Sequence, residues 1–250
     1  MDLEKRNIRE GKTFDNFIVG ESNEEAYQAA LHCVTQLDNQ HNWLWLYSDT
    51  GLGGTHLLNS IENQLLEQQP NIRIKHIHTE RFVTSYRQEI SQNELTKFKE
   101  SYRELDCLLL DDMQYLLGFG YEHIDAQAEL NGILSTLLLR ETLVVFTADR
   151  SINDLPESNI KILLNQCKQV TISQPEITLK RQLAKHFSLQ RGYELPNEIV
   201  SFISQQEAGN IRGLANQVNS LCHEIENTEK ALSLTFLKEF YLRWYEKFYN

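Results

Sequence analysis

Little in this 250-residue sequence breaks or cross-links the chain: it has 4 prolines, 11 glycines and 4 cysteines. So few prolines and glycines exclude a collagen-like build and long disordered tracts. The cysteines, Cys33, Cys107, Cys167 and Cys222, stand far apart without a C-x-x-C pair. That argues against a zinc site or disulfide framework and for a reducing cytoplasm. Long apolar runs are missing too. Trp43–Tyr47 and Leu143–Phe146 are strand-sized, far short of a bilayer span, so no membrane role is expected. Met1–Lys12 is charged throughout and lacks the apolar centre of a signal peptide. The last absence is basic charge. Lys and Arg number 24 against 35 Asp and Glu, a net charge of −11, whereas an autonomous duplex-DNA reader carries a basic patch.

What is present is enough apolar material, 41%, to bury a real core. The charge is uneven: residues 1–173 hold 15 basic and 26 acidic side chains, and residues 174–250 hold 9 of each. This split predicts two units, 1–173 and 174–250, with different surfaces.

Along the first unit, strand-like and helix-like segments alternate. Apolar residues recur at helical spacing over Ser22–Leu37, Thr55–Gln68, Arg81–Ile90, Glu94–Tyr102 and Asp125–Arg140. Ser22 and Glu25 have capping-box spacing. Compact apolar runs at Trp43–Tyr47, Ile72–Ile77, Cys107–Leu110, Leu143–Thr147 and Val170–Ile172 read as strands. The pattern predicts an α/β fold with a parallel sheet covered by helices on both faces. After Pro175 only helices are expected: Glu176–Arg191, Pro196–Gln206, Asn210–Glu226 and Leu232–Tyr245. Pro196 reads as a first helical residue and Asn210 as an N-cap.

Two segments carry chemistry. Ser48-Asp49-Thr50-Gly51-Leu52-Gly53-Gly54-Thr55 lies between a strand and a helix, where a phosphate-binding loop reads G-x-x-x-x-G-K-[ST]. Ser48 replaces the first glycine and Gly54 replaces the lysine. The backbone of such a turn still makes an anion nest. A missing ammonium removes about 1.5–3 kcal/mol, or roughly 10- to 150-fold in binding, and hydrolysis suffers at least as much. The second segment is Leu108-Leu109-Leu110-Asp111-Asp112, an apolar strand delivering two carboxylates where such an ATPase holds Mg²⁺ and a water-activating base. His76 and His78 share one strand face but lack a third ligand, so a surface or core role is expected. Trp43 and Trp45 are expected in the core, and the basic Thr96–Arg103 stretch on a solvated helix face.

Together these residues resemble the AAA+ domain of the bacterial DnaA family, which includes shorter Hda-type regulators. The likeness runs through Thr13–Asn23 (TFDNFIVGESN), the Gly51–Leu58 loop and His78–Phe82. It continues through Phe98–Arg103, Leu109–Tyr115, Thr147–Arg150 and Asn210–Leu214, in order over residues 13–242. The resemblance implies ATP or ADP with Mg²⁺ bound between the sheet domain and a helical lid. Phe17, Ile18 and Val19 would lie near the base, with Gly51, Gly53, Gly54 and Thr55 at the phosphates. Asp111, Asp112 and Thr55 would attend the metal, with Asp112 catalytic if the site is active. Asp149 would lie near the sensor at the end of the fourth strand, and Arg212 would reach from the lid. Three family features are not recognisable: an arginine finger in Glu157–Gln169, which offers only Lys161 and Lys168; a clamp-binding peptide in Met1–Lys12; and a DNA-reading domain after the lid.

The expectation is a DnaA-like adaptor or regulator of replication initiation, monomeric or part of a mixed assembly. It would work by contact with DnaA or another AAA+ or replication protein, with weakened nucleotide binding and little direct contact with nucleic acid. The alternatives are a slow but authentic ATPase, in which His56, Lys75 or Arg212 replaces the missing lysine, and a DNA-bound helicase loader or transposition regulator.

Overall fold

The five apolar runs become five short parallel strands: β1 (Trp43–Tyr47), β2 (Ile74–His78), β3 (Cys107–Asp111), β4 (Leu143–Ala148) and β5 (Lys168–Thr171). The computed structural model describes residues 11–35, 43–118, 123–206, 208–227 and 233–249. The stretch containing the sought clamp peptide lies mostly outside them. Strand order is β2-β3-β4-β1-β5, and every pairing is parallel. Each strand must therefore cross over to the next through helices that cover the sheet. That explains why β1, β3 and β4 are almost wholly buried, with no alternation of polar and apolar residues.

The crossover helices are α1 (Glu24–Thr35), α2 (Gly54–Gln68), α3 (Thr79–Ser91), α4 (Leu95–Arg103), α5 (Gln114–Leu117), α6 (Ile124–Leu139) and α7 (Asn159–Leu164). A 3₁₀ turn, Ile152–Asp154, precedes α7. Trp43 and Trp45 are core residues, as expected, and each indole N–H still finds a backbone acceptor: Thr142 O at 3.1 Å and Arg150 O at 2.9 Å. A buried indole keeps such a partner because losing it leaves an unpaid polar group.

The helical remainder is α8 (Ile177–Gln190), α9 (Asn197–Gln205), α10 (Ile211–Glu226) and α11 (Leu234–Tyr249), with its own core of Leu179, Ile199, Val218, Leu221 and Leu237 among others. The chain divides into two compact units. One holds the described residues through Phe17 together with Asn23–Ser173, and the other holds Ile18–Ser22 and the described residues from Gln174 onward. Ile18 joins the helical core, and Gly20 has no room for a side chain, since a Cβ there would stand 2.4 Å from Glu176 Oε1.

Three local expectations change. The Ser22–Glu25 capping box does not form: α1 starts at Glu24, and the Ser22 N–H donates to Glu176 Oε2 at 3.4 Å. A carboxylate from α8's start has claimed the donor that the box required. Pro196 is the N-cap of α9, with ψ of 148°, one place before the first helical residue. Asn210 does cap α10, accepting the Gly213 N–H at 2.7 Å. The fifth strand starts two residues before the expected Val170, because its edge position asks for hydrogen bonding rather than apolar side chains.

Candidate functional site

After β1 the chain must turn sharply into α2. Gly51 and Gly53 provide the turn with φ of 80° and 117°, values that a Cβ strongly disfavours. A Cβ on Gly53 would also approach the Phe17 ring to 3.1 Å. Phe17 is fixed there by stacking on Tyr27 (5.8 Å, 22°) and by edge contact with His56 (5.1 Å, 83°). Gly53 is the N-cap of α2, and the first turn has neither an acidic side chain nor a side-chain cap. Helix dipole and turn N–H groups therefore make an anion cradle. Phosphate fits this backbone.

The ammonium does not have a ready place. A Cβ on Gly54 would lie 3.2 Å from the Thr147 methyl, so that methyl already crowds the start of a lysine's path. Two candidate substitutes are committed elsewhere in the same unit. His56 Nε2 lies 3.0 Å from both Thr13 O and Asn16 Oδ1. Lys75 Nζ donates to Ser101 Oγ at 2.9 Å and sits 3.7 Å from the Tyr102 ring centroid, where desolvation holds its pKa below the ordinary lysine value.

The two carboxylates at the end of β3 part company. Asp111 is buried, and its Oδ1 accepts from Thr147 Oγ1 at 2.5 Å and from Thr55 Oγ1 at 3.3 Å. Thr55 hydroxyl and Asp111 carboxylate are an oxygen pair suited to Mg²⁺, a hard cation. Asp112 instead adopts a left-handed φ of 60°, a conformation costly to a residue with a Cβ. Four hydrogen bonds hold it there. Its N–H donates to Thr147 Oγ1 (2.9 Å) and its carbonyl accepts from Thr79 Oγ1 (2.5 Å). Its carboxylate accepts from His78 Nε2 (2.8 Å) and Gln114 Nε2 (2.9 Å). His78 Nδ1 accepts the Glu80 N–H at 3.2 Å, so in the neutral ring the proton sits on Nε2 and points at Asp112. Both oxygens of Asp112 thus have donors within the β2–α3–α5 corner.

Thr147 is the residue that sequence reasoning overlooked. Its hydroxyl donates to Asp111 while accepting the Asp112 N–H, joining the two carboxylate positions through β4. The signal was there: one hydroxyl in the buried run LVVFTA must find a partner. Asp149, two residues on, is occupied within its own loop, taking the Arg150 guanidinium at 2.6 and 2.8 Å. His78, read as a strand residue without a metal role, proves to be the partner of Asp112.

In the finger segment, Lys161 is buried. Its Nζ donates to Asn153 O (3.2 Å), Leu155 O (2.8 Å) and Glu157 Oε1 (2.7 Å), closing the loop before α7. Lys168 is exposed at the edge strand. Ile18, Val19 and Arg212 belong to the helical unit, where Arg212 stands exposed in the first turn of α10. Glu176 hydrogen-bonds the N–H groups of Glu21 and Ser22 there. Burial alone would raise its carboxyl, but its own backbone N–H, the Ser22 side chain and these two N–H groups together outweigh it and hold the pKa below the ordinary value.

The cysteines take no part. Burial pushes the Cys33 thiol up to about 12 and raises Cys107 and Cys167 as well, so all three remain thiols. Among the described residues, no cluster of three His, Cys, Asp or Glu could hold a metal, and no helix is long and apolar enough to cross a membrane.

A parallel sheet in this order, with a glycine turn after β1, paired carboxylates at the end of β3 and a helical unit following in sequence, defines an AAA+ P-loop fold. A match to the bacterial DnaA ATPase domain spans residues 8–169. The chain belongs to that family. Domain III of the Thermotoga maritima replication initiation protein DnaA is similar at 29% identity and TM-score 0.82, over 90% of this chain and 92% of that one. A replication initiator DnaA bound to AMPPCP and single-stranded DNA shares the fold at 24% identity and TM-score 0.76, over 86% of this chain and 66% of the other. AMPPCP-bound DnaA from Aquifex aeolicus does so at 23% identity and TM-score 0.73, over 84% and 64%.

Proposed function

We propose that this chain is a DnaA-like AAA+ adaptor that regulates replication initiation through protein contact, with nucleotide binding weakened and hydrolysis impaired. The observation that carries the reading is the phosphate loop: a cradle of backbone N–H groups with Gly54 where its cation belongs, and His56 and Lys75 held by other partners. Two further features support it. Each oxygen of Asp112 already accepts one hydrogen bond, from His78 and from Gln114, and these bonds lower its basicity and fix its direction. Lys161, buried on its own carbonyls, is not available to a neighbouring subunit.

In this reading the sheet unit and the helical unit act as nucleotide domain and lid. The Gly51–Thr55 turn, the Thr55 hydroxyl and Asp111 would hold ATP or ADP with Mg²⁺, and the metal would supply polarisation of the phosphate. That similar initiators are bound to AMPPCP supports a nucleotide site in this chain. The partner is DnaA or another AAA+ or replication protein, met by a monomer or within a mixed assembly, and direct nucleic-acid contact is secondary.

Calorimetry with Mg-ATP and Mg-ADP, beside steady-state phosphate release, tests this. Weak binding, with release no faster than for an Asp111→Asn/Asp112→Asn variant, is the expected result. Hydrolysis that those two changes abolish overturns the adaptor reading in favour of the slow ATPase. Capture of a purified DnaA-family initiator by the full chain tests the partner, and failure to bind it at low salt removes that part of the proposal.

A further inference from the structure

The ladder between β3 and β4 ends at the pair Leu110–Phe146, and the next residue of β4, Thr147, holds three successive residues of the departing chain. Its Oγ1 donates to Asp111 Oδ1 at 2.5 Å and accepts the Asp112 N–H at 2.9 Å, and its carbonyl accepts the Met113 N–H at 2.8 Å. A hydroxyl has one proton. With the Asp112 N–H on the oxygen's lone pair, that proton goes to Asp111.

The two carboxylates are left in opposite states. Asp111 is buried, and Thr147 and Thr55 both donate to its Oδ1, whereas Oδ2 accepts no hydrogen bond among the described residues. A buried carboxylate oxygen without a donor calls for a cation. Thr55 spends its own proton on Asp111, so its lone pairs stay open to the same cation. Asp112 is turned away by its φ of 60°, and each of its oxygens already has a donor, His78 or Gln114. A Mg²⁺ that keeps waters and shares phosphate oxygens needs only one or two protein carboxylates. One carboxylate and one hydroxyl therefore suffice, which agrees with the lack of a three-ligand His, Cys, Asp or Glu cluster among the described residues.

We infer that Thr147 is a positioning residue of the metal site, and that its hydroxyl selects Asp111 over Asp112 as the carboxylate that meets Mg²⁺ beside Thr55. One hydroxyl acts on both acids. It fixes Oδ1 of Asp111, leaving Oδ2 for the metal, and it holds the backbone turn that directs Asp112 to His78. The inference rests on the reading that a nucleotide with Mg²⁺ settles on the Gly51–Thr55 turn.

The test uses Mn²⁺ in place of Mg²⁺, with ADP as the nucleotide. Calorimetric titration of the full-length protein with ADP, once in excess Mn²⁺ and once in EDTA, gives the gain in affinity that the metal supplies. The EPR spectrum of protein-bound Mn²⁺ reports its ligands. Thr147→Val keeps the shape and removes the proton. It is expected to bind ADP in EDTA as the parent does and to lose about tenfold or more of the metal's gain, as a lost hydrogen bond to a charged group does. Thr147→Ser is expected to restore the gain and the parent spectrum, Asp111→Asn to abolish the gain, and Asp112→Asn to keep it. Where Thr147→Val does not fold, Thr147→Cys, whose thiol is a weak donor, is read in the same way. The inference is overturned by a full gain in the valine or cysteine variant, by equal losses with and without metal, or by Asp112→Asn losing as much as Asp111→Asn. A parent whose ADP affinity Mn²⁺ does not raise also overturns it, and leaves the adaptor reading to partner capture. ATP hydrolysis by the parent overturns the adaptor reading alone, since the gain is measured with ADP.

Discussion

At the scale of single residues, Gly54 and Thr147 decide what the phosphate loop can do, and they do so together. A lysine at 54 restores an ammonium worth about 1.5–3 kcal/mol, but its Cβ must share space with the Thr147 methyl, 3.2 Å away. Gly54→Lys is therefore expected to tighten Mg-ATP binding by about 10-fold or more. Adding Thr147→Ser, which keeps the hydroxyl on Asp111 and removes the methyl, is expected to tighten it further. Calorimetry on both variants checks this, and unchanged affinity in each would mean that the missing cation is not what limits binding. Lys161 offers a second case. Replacing it with methionine orphans two carbonyls and leaves Glu157 unpaired, which predicts a loss of about 1–3 kcal/mol in urea unfolding. A residue whose role was only to reach another subunit would leave stability untouched. The absence of lysine at 54 was legible in the sequence. That Lys161 is an internal strut was not, because its carbonyl partners come from a loop with no periodic pattern.

Among elements, the end of β3 shows how one strand can serve two corners. Asp111 and Asp112 are adjacent, and alternation alone points them to opposite faces. The left-handed turn at Asp112 then delivers its carboxylate to β2 and α5, where His78 and Gln114 hold it. His78→Ala removes one donor from that carboxylate and a cap from α3. The helix loses about 0.5–2 kcal/mol by the cost of a lost cap, and Asp112 gains freedom. If Asp112 is a restrained base, phosphate release rises above the parent rate, whereas an unchanged rate assigns His78 to helix capping alone. In the helical unit, Asn210 caps α10 and carries Arg212 on the following turn. Asn210→Ala is expected to cost about 1 kcal/mol by chemical denaturation. This N-cap was readable from Gly209-Asn210, since the capping signal is local. The Ser22–Glu25 box was misread because its competitor, Glu176, is 154 residues away from Ser22.

For the whole molecule, the net charge of −11 and the pKa pattern set the response to solvent. Hydrogen bonds from the Arg73 side chain and backbone hold Asp106 below the ordinary carboxylate value despite some burial, and Glu176 is lowered by its N–H donors. A carboxyl lowered in the fold contributes stability that is complete above its unfolded pKa, near 4, and fades as pH falls through the lower folded value. The parent is therefore expected to be more stable than Asp106→Asn/Glu176→Gln above about pH 5. The gap should close as the pH drops below the carboxylate range, followed by denaturant midpoints. What the sequence alone determined was everything encoded locally or by periodicity. This includes the alternating α/β order, the helical end, the glycine turn, the paired carboxylates and the family likeness. Short-range sterics and the burial of apolar faces suffice to write those patterns into adjacent residues. The tertiary structure alone decided which groups face which: Thr147 between two carboxylates, His78 on Asp112, and Lys161 on its own loop. Parallel strands bring together residues far apart in the chain, and a hydrogen bond depends on distance in space, for which sequence spacing leaves no trace.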